Sequence, residues 1–101
     1  MKLLAILGDE EAQPKVRKLF MSHHAVLYSS MPVRGCSCDS YREIAGWWPS
    51  ETDMSTYTSL YFAILDDAKA DAIMAELERE PIATDPEFPA RAFVMNVDKM
   101  I

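Results

Sequence analysis

The chain is 101 residues long, half of them apolar and 26% charged, which is the composition of one folded domain of ordinary size. Sixteen acidic residues against ten basic give a formal charge of −6, and no cluster of Lys and Arg offers the electrostatic footprint that nucleic-acid binding needs. The longest apolar run near the start, residues 3–7, is far shorter than the roughly 20 residues of a membrane span, so membrane insertion is not expected and, with no signal-peptide pattern, the expected location is cytoplasmic.

Residues 2–7 (KLLAIL), closed by Gly8 and Asp9, read as a short buried strand. A helix follows. Asp9 caps it, Glu10 and Glu11 suit its positive end, and Val16, Leu19 and Phe20 recur at helical spacing before the basic and histidine stretch of residues 18–24. Pro14 fits only in the first turn of that helix. Residues 25–34 (AVLYSSMPVR) have strand composition, with Pro32 placing the strand at a sheet edge or a bulge.

Residues 36–55 (CSCDSYREIAGWWPSETDMS) then break the pattern with a long segment that carries both cysteines and both tryptophans. Loops of that length in a small domain are uncommon and tend to be functional or disordered. Strand character resumes over residues 56–65, with Thr58, Leu60, Phe62 and Ile64 on one face and Tyr57, Ser59, Tyr61, Ala63 and Leu65 on the other. Both faces are partly apolar. The face holding Tyr57, Tyr61 and Leu65 is the one expected to need a partner. Asp66 or Asp67 caps a second helix with Ala70, Ile73, Met74 and Leu77 as its apolar stripe, and Pro81 stops it. A last strand spans residues 91–97, with Phe93, Met95 and Val97 on one face.

The order β-α-β-β-α-β predicts an α+β, ferredoxin-like fold: a four-stranded antiparallel sheet with two helices on one face and a long loop between strands 2 and 3. The whole chain, residues 1–101, is expected to form that single domain, and the uncovered sheet face points to self-association.

Several residues in and near the long segment carry chemistry of their own. Cys36 and Cys38, in C-x-C spacing, fall on one side of an extended chain and suit a soft cation such as Zn or Cu, with His23 and His24 as added nitrogen donors. A closed site needs about four ligands, so ordinary reduced thiols and a redox-sensitive pair stand beside that reading. For His23 and His24 the competing role is to complement a helix C-terminus. Trp47 and Trp48 are candidate anchors in a partner protein, with Tyr41 and Arg42 beside them, and the competing reading is that a ring folds back on its own assembly. No motif of a hydrolase nucleophile, a Walker-type phosphate loop or a zinc protease is present, so an enzyme is not expected.

The joints of the chain resemble the PII-like signal-transduction family. The resemblance is carried by residues 91–101 (RAFVMNVDKMI), by Val33, Arg34 and Gly35 at the foot of the long segment, and by residues 63–67 (AILDD) at the joint between strand and helix. It implies a homotrimer of ferredoxin-like subunits in which residues 36–55 occupy the place of the T-loop, the arm that docks onto partners such as membrane transporters. It further implies a small effector in the clefts between subunits, an adenine nucleotide (AMP, ADP or ATP) with bicarbonate as a further candidate. Arg34, Gly35, Ser37 and Arg91 are the residues assigned to that nucleotide or anion.

The chain also departs from the family. Glu87, Phe88, Pro89 and Ala90 replace the glycine-rich turn before the last strand, and residues 98–101 hold none of the arginines found beyond it. Fewer phosphate ligands imply weaker or different nucleotide binding. The alternative assignment is a metal-binding or metal-responsive protein, similar to the CutA family, that uses Cys36, Cys38, His23 and His24.

Overall fold

The structure is a computed structural model that describes residues 1–34, 58–83 and 89–101. Its elements in chain order are β1 (Lys2–Gly8), a 3-10 turn (Glu10–Ala12), α1 (Gln13–Ser22), β2 (Ser29–Pro32), β3 (Ser59–Leu65), α2 (Asp67–Arg79) and β4 (Arg91–Asn96). The strands form one antiparallel sheet in the order β2-β3-β1-β4. That order is the ferredoxin-like arrangement expected from the sequence.

Local chemistry accounts for each boundary. The Asp9 carboxylate accepts from Ala12 N–H at 3.0 Å and opens the turn into α1, where Pro14 sits in the first turn and loses no helical hydrogen bond. After Ser22 the chain reverses. His24 adopts a left-handed backbone, φ 59°, and Ala25 N–H donates to Phe20 O at 2.8 Å, closing the helix end. Asp66, rather than Asp67, caps α2 by accepting from Lys69 N–H at 2.8 Å, and Asp67 instead accepts from the N-terminal ammonium at 2.7 Å. That hydrogen bond, helped by the ammonium's charge, lowers the Asp67 carboxyl's pKa from its ordinary value.

The core lies between the helices and one face of the sheet. Leu4 and Ile6 of β1, Tyr61, Ala63 and Leu65 of β3, Val16, Leu19 and Phe20 of α1, and Ala70 and Ile73 of α2 pack there, with Met74, Leu77, Ala92 and Val94 at its margin. The Asp9 carbonyl accepts from the Tyr61 hydroxyl at 2.8 Å, so this large buried side chain leaves no unsatisfied donor. Burial, with Asp9 and Glu10 nearby, pushes the hydroxyl's pKa up and keeps it a donor.

Two expectations need correction. The second strand is only Ser29–Pro32, not residues 25–34. Residues 25–28 return from α1: Ala25 is buried and Tyr28 stacks on Phe20 with ring centroids 4.9 Å apart, which leaves Val26 and Leu27 in solvent. Pro32 lacks the N–H that would continue the ladder, and it lies on an edge strand as expected.

The two faces of β3 are also reversed. Tyr61 and Leu65 face the helices, because the register sets Tyr61 beside Ile6 and Ala63 beside Leu4. Tyr57 lies outside the described residues. The face without helices carries three rows: Leu3 between Ile64 and Met95, Ala5 between Phe62 and Phe93, and Leu7 between Leu60 and Arg91. Met31 of β2 extends the last row. Ile64, Phe93, Met31 and Met95 are 41%, 40%, 47% and 51% exposed, so the sheet turns a large apolar surface outward.

Ile73 is fully buried at the helix-to-sheet contact. Ile73→Ala therefore lowers the unfolding free energy by about 2–4 kcal/mol, read from chemical denaturation with an unchanged slope.

Candidate functional site

Chemistry concentrates at the end of the sheet where β1 and β2 finish and β3 and β4 begin. The register brings Gly8, Ser59, Pro32 and Arg91 to that end. Residues 35–57 leave and return there. The junction is held by backbone bonds: Val33 N–H donates to Thr58 O at 2.9 Å and Thr58 N–H to Gly8 O at 2.8 Å. Gly8 is buried, and a Cβ on it would make ordinary van der Waals contact, at 3.5 Å, with Ala12 Cβ and Ala90 Cβ. The foot of the long segment is thus tied to β1 and, through Tyr61 and Asp9, to the start of α1.

Arg34 and Arg91 both lie at this end and are both exposed. They stand at opposite edges. Arg34 follows β2, one edge strand, and Arg91 begins β4, the other, three strand spacings away or roughly 14 Å. The two residues therefore start from opposite corners of this end of the sheet. Arg91 occupies the corner of the outward apolar face, beside Leu7.

Next to the β2 edge lies a cavity of about 440 Å³ lined by Glu10, Gln13, Ser30, Met31, Pro32, Ser59 and Tyr61. Of these, sequence reasoning offers only the Ser30 hydroxyl as a candidate addition to an anion site. Ser30 and Ser59 belong to a site only because the β2–β3 register sets them at one end of the sheet, and serine in a strand is too common to signal that.

The remaining candidates separate into two groups. Gly35, Cys36, Ser37, Cys38, Tyr41, Arg42, Trp47 and Trp48 lie outside the described residues. His23 and His24 are placed. The Glu76 carboxylate of α2 accepts from His23 Nε2 at 2.9 Å, joining the end of α1 to α2, and the His24 carbonyl accepts from Lys69 Nζ at 3.3 Å. Both residues therefore act at the helix C-terminus and in its contact with α2. Among the described residues no three His, Cys, Asp or Glu side chains gather as metal ligands. None of the described helices is long and apolar enough to cross a membrane.

No protein-family model and no curated protein matches the chain by sequence. By structure, it is similar to a proposed PII-like signalling protein from Thermus thermophilus, at 21% identity and a TM-score of 0.65, covering 95% of this chain and 85% of that one. The fold is thus that of PII-like signalling proteins, the one implied by the residues at the joints of the chain.

The tie through Tyr61 is testable. Tyr61→Phe keeps the ring and leaves the Asp9 carbonyl without its hydroxyl donor, so the variant loses about 1–2 kcal/mol of stability in denaturant titrations. A change of under about 0.3 kcal/mol would show that the foot of the long segment does not depend on that bond.

Proposed function

We propose that this chain is a PII-like regulatory protein that assembles as a homotrimer, binds an anionic effector between subunits, and controls a protein partner through residues 36–55. The observation that carries the reading is the pairing of an apolar, helix-free sheet face with two arginines at opposite edges of one sheet end. Copies that cover each other's apolar faces around an axis bring the β2 edge of one to the β4 edge of the next. Arg34 of one copy and Arg91 of its neighbour then line one cleft.

Guanidinium groups suit phosphate because their planar donors form charge-assisted, often bidentate, hydrogen bonds. An adenine nucleotide is the effector class that fits the likeness in fold, with bicarbonate as a smaller anion for the same charges. Gly35 and Ser37 are assigned to the same effector by their sequence position beside Arg34. The cavity beside β2 provides room next to these groups for the uncharged part of the ligand.

The proposed output follows from connectivity. Residues 36–55 start directly beyond Arg34 and Gly35, so an effector that grips the foot of the segment favours one of its arrangements over another by differential affinity. Trp47 and Trp48, with Tyr41 and Arg42, are the proposed contacts with the partner, and a membrane transporter is the partner class the family resemblance favours. The role is regulatory, and the proposed location is cytoplasmic.

Calorimetry with AMP, ADP, ATP and cyclic AMP, each with and without bicarbonate, tests the effector reading. One of these ligands binds saturably, and Arg91→Ala or Arg34→Ala weakens it by about tenfold or more. Absence of saturable heat with all of them would overturn it.

A further inference from the structure

The side of the sheet that carries the helices has a second feature, on the opposite side of the sheet from the outward apolar face. A cavity of about 420 Å³ opens between α1 and α2, lined by Lys15, Lys18, Leu19 and Ser22 on one wall, by Glu76, Leu77 and Glu80 on the other, and by Pro81 and Ile82 at one end. Its volume is in the range of small-molecule sites, roughly 300–1,000 Å³. We infer that this interhelical cavity binds a small zwitterion of the α-amino-acid type with an aliphatic side chain.

The two walls carry opposite charges. Lys15 and Lys18 are three residues apart and share one face of α1, while Glu76 lies in the last turn of α2 and Glu80, the residue just past its end, donates its N–H to the Glu76 carbonyl. Glu76 is held in place by His23 at 2.9 Å. Among the described residues, the ion pairs of the N-terminus with Asp67, Lys2 with Asp71 and His23 with Glu76 leave Lys15, Lys18 and Glu80 unjoined. The groove stays open with cations on one side and a carboxylate on the other.

Between those walls the floor is apolar. Leu19 and Ile82 are 5% and 7% exposed, and Leu77 packs against the same core. An α-amino acid matches this combination: its carboxylate meets the lysines, its ammonium meets Glu80, and a branched aliphatic side chain lies on the leucines and Ile82. A simple anion would leave Glu80 unmatched, and a simple amine would leave both lysines unmatched.

Position gives the cavity access and a route of influence. It lies on the helix side, so burial of the opposite face between copies leaves it open to solvent. The Ile82 carbonyl accepts from Ala90 N–H at 2.7 Å, and Ala90 directly precedes Arg91. A ligand resting on Ile82 therefore touches the segment that sets the start of β4.

Titration calorimetry of the full chain with three isosteric probes tests the inference: leucine, 4-methyl-2-oxopentanoate, which lacks the ammonium, and 3-methylbutylamine, which lacks the carboxylate. Leucine binds saturably at one per protomer, and each analogue binds at least about tenfold more weakly. Lys18→Ala and Glu80→Ala, both at exposed positions, each weaken leucine by about tenfold while melting temperature and circular dichroism stay unchanged. No saturable heat with leucine, equal binding of the three probes, or unchanged leucine affinity in both variants would overturn it.

Discussion

Both helices of this protein lie on one face of a four-stranded sheet whose two faces are apolar, and that asymmetry governs everything else about the molecule. On the covered side Leu4, Ile6, Tyr61 and Ala63 lose nearly all contact with water against Val16, Phe20, Ala70 and Ile73. On the other side Ile64, Phe93 and Met95 remain near half exposure. Burial stabilises by roughly 25 cal/mol for each Å² of apolar surface removed from water, so a surface of this kind favours association. The choice of which face the helices cover thus sets both the core and the apolar surface left in solvent.

The same topology decides what the arginines can do. Antiparallel pairing in the order β2-β3-β1-β4 brings the end of β2 and the start of β4 to one end of the sheet while keeping them at opposite edges. Arg34 and Arg91 therefore stand at opposite corners of one end of the sheet. Their separation is a consequence of strand order alone. Gly8, Thr58 and Tyr61 hold that end of the sheet together, so the long segment between β2 and β3 springs from a fixed base.

Much of the fold was legible in the sequence because its signals are local. Asp9 and Asp66 precede helical periodicity, Pro14 falls in a first turn, Pro81 blocks continuation, and two helices between four strand-like runs leave few topologies to consider. The length of β2 was not legible, because Val26 and Leu27 have strand composition but are spent on the reversal that His24 allows with its left-handed backbone. The facing of β3 was not legible either. Both sets of alternating residues are apolar, and the choice between them depends on partners far away in sequence. Size carried a hint: Ala63, Ala92 and Val94 face the helices, where close approach is needed, while Phe62, Phe93 and Met95 face outward. At the site, Arg34 and Arg91 were visible through the family resemblance, whereas the link between His23 and Glu76, which spans 53 positions, was not.

The most direct measurement is the mass of the chain in solution by sedimentation equilibrium, with Phe93→Asp as the companion that puts a charge in the middle of the open face. Burial of that face between three copies predicts a wild-type mass three times the 11.4 kDa protomer and a folded, protomer-sized Phe93→Asp variant. A wild-type chain that stays at 11.4 kDa across micromolar concentrations, with its sheet face in water, would contradict it.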